Sequence, residues 1–254
     1  MTTAGTQSHP RERPFFADPV NEYADKVLGR PLALLRAGCL TPLTDLGLDR
    51  LPCAEFSVIT ADSDDPLVRT VLGEPASSDA ILGDLRTAPL RPRTFDIVYC
   101  ALLLERIANV EVVLDRLAGS LRPGGLMLLR FTDRESALGL LYRMLPRPAR
   151  RAVWQRYMPG TPGPFPAVYE MAVSARGIHG YALMRGLVIT ARTTSRSAPV
   201  ATDRITRLVA SACQAISWVT RGRITAEHDE LLYVIRKPED RFARVVLPNY
   251  DDAA

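Results

Sequence analysis

Short apolar runs alternate with amphipathic stretches along most of this 254-residue chain, and that alternation constrains the fold more than any other feature. Leu32–Ala37, Phe56–Ala61, Asp79–Leu82, Phe95–Cys100, Leu126–Phe131, Leu187–Thr193 and Leu231–Arg236 read as strands. They are continuous apolar runs rather than apolar–polar alternations, as expected for strands covered on both faces. Helical stripes fall between them. Asn109–Leu121 carries Val112, Val113, Leu114, Leu117 and Leu121, and Thr202–Arg221 carries Ile205, Leu208, Val209, Ala212, Ile216 and Val219. A helix is also expected over 18–30, one capped by Asp65 and running to Leu72, one over 135–157 that its prolines break into two parts, and one over 168–185 that Gly177 and Gly180 weaken. The order β-α-β-α implies an α/β fold with a doubly wound, mostly parallel seven-stranded sheet, helices on both faces and right-handed crossovers.

One domain is expected over 18–245, with 1–17 a disordered arm, 135–180 an insertion over the site and 246–254 a tail. Apolar residues make up 47% of the chain, enough for a sizeable core. The net charge of +4 comes almost wholly from arginine. The densest basic stretch, Arg143, Arg147, Arg150, Arg151 and Arg156, interleaved with Tyr142, Trp154 and Tyr157, reads equally as the outer face of a helix or as a surface for an acidic partner or substrate; nucleic acid is not an expected partner. No apolar run reaches the roughly 18 residues of a membrane span, and the N-terminus has no signal-like apolar region. Cys39, Cys53, Cys100 and Cys213 show no C-x-x-C spacing and read as reduced thiols of a cytoplasmic protein. The histidines, His9, His179 and His228, form no metal-binding motif.

Ligands on open parallel sheets bind beyond the carboxyl ends of the strands, so the strand exits carry the functional reading. The first exit, Leu34-Leu35-Arg36-Ala37-Gly38-Cys39-Leu40-Thr41-Pro42, has glycine and cysteine where a backbone can approach a ligand. The second ends at Asp62, about 20 residues beyond, where an acid accepts ribose hydroxyl protons; Asp64 and Asp65 are alternatives. The third ends at Gly83-Asp84-Leu85, the fourth strand begins Phe95-Asp96-Ile97-Val98, and Leu121-Arg122-Pro123-Gly124-Gly125 reads as a turn into the fifth.

In this order the series resembles the class I S-adenosylmethionine (SAM) dependent methyltransferases, over 30–131 well and over 181–238 loosely. The resemblance implies a Rossmann-like fold with an antiparallel last strand. It also implies a transferase acting on a small molecule, in secondary metabolism. Gly38 and Cys39 would hold the methionine part of the cofactor, Asp62 the ribose, and Asp84 with Leu85 the adenine.

The chain departs from the family at the first loop, where Leu40 and Pro42 replace glycines and Arg36 replaces an acid. These changes weigh against SAM binding and support an alternative, a methyltransferase-like protein without transfer activity. After the fourth strand, Leu104-Glu105-Arg106-Ile107 stands where many relatives carry histidine. Glu105 is a candidate base, and an exposed Glu–Arg pair on a helix is the more ordinary reading. Tyr169 and His179 fall in the variable region where substrates are held. Oligomeric state and methyl acceptor are not legible.

Overall fold

A computed structural model describes residues 14–27, 30–38, 43–48, 56–62, 69, 80–146, 148–150, 152, 169–195 and 204–239. Among these, seven strands form one sheet: β1 (Leu32–Ala37), β2 (Phe56–Asp62), β3 (Ala80–Leu82), β4 (Phe95–Ala101), β5 (Leu121–Thr132), β6 (Val188–Ser195) and β7 (Glu230–Arg236). Their spatial order is β3-β2-β1-β4-β5-β7-β6. All pairings from β3 to β5 are parallel, and β7 lies antiparallel between β5 and β6. The α/β class, the seven strands and the reversed last strand are therefore as the sequence implies.

The helices are α1 (Ala17–Lys26), α2 (Val110–Ser120), α3 (Ala137–Met144), α4 (Ala175–Met184) and α5 (Arg204–Val219). Side chains alternate across β1. Leu35 and Ala37 join the core that holds Val113, Leu114 and Leu117 of α2, while Leu32 and Leu34 join the core that holds Val20, Tyr23 and Ala24 of α1. Every residue of β4 is buried, because both of its faces are covered. The edge strand β6 instead alternates between exposed and half-buried positions.

Four expectations change. Phe16 and Ala17, assigned to the arm, are 1% exposed, and Phe16 meets Tyr99 edge to face at 5.8 Å. The segment Arg122–Gly125 is not a turn but part of β5: Gly124 takes φ +80°, and a Cβ on Gly125 would lie 2.8 Å from the Asp96 carbonyl oxygen. Glycine lets β5 bend there while staying close to β4. The helix expected over 135–157 begins at Ala137, where the Ser136 hydroxyl accepts from the Gly139 amide; it ends at Met144 before Pro146, and helical residues resume at 148–150 and 152, as the expected proline break implies. The helix expected over 168–185 begins only at Ala175, where Ser174 caps the Gly177 amide. The helix expected after Asp65 falls almost wholly outside the described residues, as does the tail.

Asp96 fixes the amino-terminal end of the central strands. Its buried carboxylate accepts from Arg30 (2.7 and 2.6 Å), Arg122 (2.7 Å), the Ala33 amide (2.9 Å) and the Tyr23 hydroxyl (3.3 Å). It thereby ties α1, the start of β1 and the start of β5 to β4. Burial alone would raise this carboxyl, but the two guanidinium groups and the amide hold it below its ordinary value. Asp96→Asn is expected to cost about 2–3 kcal/mol at pH 7, discounted because both arginines are partly exposed. A carboxyl lowered in the folded state contributes fully above its unfolded pKa and loses that contribution as pH falls through its folded value. Urea denaturation should therefore show the two proteins converging in acid below about pH 4, and a constant difference would contradict this role.

Candidate active site

Sequence order reverses direction across the sheet at β1, which is flanked by β2 on one side and β4 on the other. A crevice opens at such a point, beyond the carboxyl ends of the strands. Gly38 leaves β1 there with φ +90°, and its amide donates to the Ala61 carbonyl at 2.9 Å. A Cβ at this position would stand 2.6 Å from the Ala101 carbonyl oxygen, so only glycine fits between the exits of β2 and β4. Arg36 lies half-buried on the sheet face of Leu32 and Leu34. Cys39, Leu40 and Pro42 lie outside the described residues.

Asp62 ends β2 and is fully buried, with its carboxylate joined to Arg106. The Arg106 Nη2 donates to Oδ1 at 2.5 Å and to Oδ2 at 2.6 Å. Their side chains are 6% and 0% exposed. Arg106 belongs to a short 3-10 turn, Leu104–Arg106, that follows β4. The exposed Glu–Arg pair on a helix is thus corrected: both residues are buried, on a single tight turn, and the arginine reaches back to an acid 44 positions earlier. Nothing in the local sequence signals that pairing.

Glu105 is wholly buried beside it. Its Oε1 accepts from the Thr132 amide at 2.6 Å, and its Oε2 has no hydrogen-bond partner among the described residues. Burial pushes this carboxyl up to about 7, partly opposed by the Thr132 amide and its own backbone N–H. The Cys100 thiol, free and buried, is raised by burial and feels the charges of Glu105, Arg106 and Asp62. These groups therefore share one dry region under the exit of β4. The exit itself is strained: Leu102 is 1% exposed yet takes φ +49°, a conformation that costs a side-chain-bearing residue on the order of 1 kcal/mol or more.

The remaining predicted residues lie further out. Asp84 is exposed and accepts from the Arg86 side chain and amide, which lowers its carboxyl to about 2. Leu85 is 4% exposed and packs in the α2-side core. Tyr169 is buried, stacks on Tyr142 at 6.4 Å, and donates its amide to the Glu105 carbonyl at 3.1 Å. It forms an apolar cluster with Leu102, Leu138 of α3 and Val209 and Cys213 of α5, which caps the exit of β4. An open cavity of about 610 Å³ adjoins it, lined by Asn109, Arg134, Tyr169 and Glu170 among others. His179 is exposed and points back to the Ala175 carbonyl at 2.8 Å. Among the described residues no group of side chains could hold a metal ion, and no helix is long and apolar enough to cross a membrane.

Known proteins share this arrangement. Residues 35–129, from β1 to β5, match the family model described as a methyltransferase domain. That stretch is under half of the chain, and over it the chain is similar to methyltransferase domains. Among solved structures, the complex of the Haloferax volcanii methyltransferase activator Trm112 with a methyltransferase aligns over 90% of this chain and 91% of the other. The TM-score is 0.52 at 14% identity. A Listeria monocytogenes protein described as an S-adenosylmethionine-dependent methyltransferase aligns over 88% of this chain and 100% of its own, with a TM-score of 0.50 at 12% identity. At such identities the likeness shows the shared fold. No curated protein matches the chain.

The domain carries a titratable group in its dry interior. A carboxyl raised on folding makes the folded protein bind its proton more tightly, so Glu105 becomes destabilising as pH rises from about 4.5 to about 7 and adds nothing further above. Glu105→Gln keeps the oxygen that accepts from Thr132 and removes the charge. It is expected to gain about 3 kcal/mol over wild type between pH 4.5 and 8 in chemical denaturation. Parallel stability profiles for the two proteins would contradict the placement of this carboxyl.

Proposed function

We propose that the chain is a SAM-dependent methyltransferase acting on a small molecule. The observation that carries this reading is the acid at the exit of β2, Asp62, set beside the switch point between β1 and β4. On this reading Gly38 and Cys39 hold the methionine part of the cofactor by close backbone approach, Asp62 accepts the ribose hydroxyls, and Asp84 with Leu85 borders the adenine. The sulfonium supplies an electrophilic methyl carbon. The chain's own share is placement of the acceptor in line and exclusion of water by the apolar cluster of Leu102, Tyr142 and Tyr169. Glu105 Oε2 is a carboxyl whose raised pKa suits removal of an acceptor proton near neutrality. Residues 18–245 act as one domain, with 135–180 covering the substrate.

A second reading is a domain that keeps the fold without transferring methyl groups. The ion pair of Asp62 with Arg106 favours it, because the ribose acceptor is engaged by the chain itself. Arg36, Leu40 and Pro42 point the same way. Calorimetric titration with SAM and S-adenosylhomocysteine separates the two. Transfer requires micromolar binding that weakens at least about tenfold, or about 1.4 kcal/mol, in Asp62→Ala. No heat at millimolar ligand from folded protein would leave the second reading.

A further inference from the structure

The inference concerns Arg106 and rests on Asp62 being the ribose acceptor. The guanidinium does more than lie near that carboxylate. One nitrogen stands 2.5 and 2.6 Å from its two oxygens and so occupies the space in front of both. A vicinal diol binds a carboxylate from that same front, one hydroxyl to each oxygen. Guanidinium and ribose therefore compete for one position, and both cannot hold it.

Both side chains are buried, so water is a poor substitute for either partner, and an ionised carboxylate there needs a donor. The segment that carries Arg106 is short and bounded by two left-handed residues, Leu102 (φ +49°) and Asn109 (φ +58°). The turn between them, Leu104–Arg106, belongs neither to β4 nor to α2. Arg106 is the last residue of that turn, so its side chain can leave the carboxylate without moving the sheet or the helix.

We infer that Arg106 is a resident competitor for the nucleoside. It holds Asp62 in the free protein, and the cofactor binds only when its ribose hydroxyls take over that carboxylate and the guanidinium leaves. Affinity is then the balance of an exchange and is reduced by the hold of the internal pair. Arg106 thus sets how tightly, and at what ligand concentration, the site fills.

Titration of the full chain with S-adenosylhomocysteine tests this through binding alone. Arg106→Gln is expected to bind it at least about tenfold more tightly than wild type, and Asp62→Asn combined with Arg106→Gln should lose that gain. If Arg106→Gln does not fold, Arg106→Lys serves, because its ammonium ends one bond short of the position that Nη2 holds; tighter binding than wild type again supports the exchange. Equal or weaker binding by the single variants, with wild type still binding, would overturn the competition and leave the transferase reading standing. No binding by wild type or any variant would overturn both, since no nucleoside site would exist to compete for.

Discussion

The ion pair between Asp62 and Arg106 closes the region where the sheet reverses direction, and much of the site follows from it. Each charge would be costly to bury alone. Together, with one nitrogen shared between two oxygens, they can remain in a place water does not reach. The pair ties the exit of β2 to the turn after β4. It places Glu105, the neighbouring residue, against the Thr132 amide at the exit of β5. Three strand exits are thus joined through two consecutive side chains.

The central strands carry a buried acid at each end, and the two have different uses. Asp96, near the start of β4, is surrounded by donors from α1, β1 and β5 and has no accessible front. Its role is mechanical: it holds the layers together. Asp62, at the far end, has its principal partner on a short turn bounded by residues in left-handed conformations. Exchange of that one partner asks a single side chain to move, whereas the partners of Asp96 are spread over three elements that would all have to move. The domain is therefore firm at the amino ends of its strands, and the inferred exchange falls at their carboxyl ends.

Much of the fold was legible because strands covered on both faces leave long apolar runs, and β4 is the clearest. Less legible were places where one residue type serves two geometries. Pro123-Gly124-Gly125 has the composition of a turn, yet the glycines serve to bend β5 against β4. Phe16 follows a polar, proline-containing start and reads as arm, but its ring finds Tyr99 across the chain. The positions of Gly38 and Asp62 at the exits of β1 and β2 were identifiable from the apolar runs that precede them. The state of Asp62 was not, since its partner lies 44 residues away and looks locally like half of a surface Glu–Arg pair. Asp84 stands at its expected exit but is held by Arg86, its near neighbour, an attachment that sequence spacing does not disclose.

The guanidinium of Arg106 reports directly on the central claim. Nitrogen-15 NMR of its Nε–H and Nη protons distinguishes a buried, paired guanidinium from a solvated one, because pairing and burial slow exchange with water. In the free protein these protons should exchange slowly, and S-adenosylhomocysteine should move them to fast exchange in step with its binding. Saturation with ligand while the Arg106 signals remain slow and unshifted would show that Asp62 keeps its arginine when the site is full, and the account of the site as an exchange would be wrong.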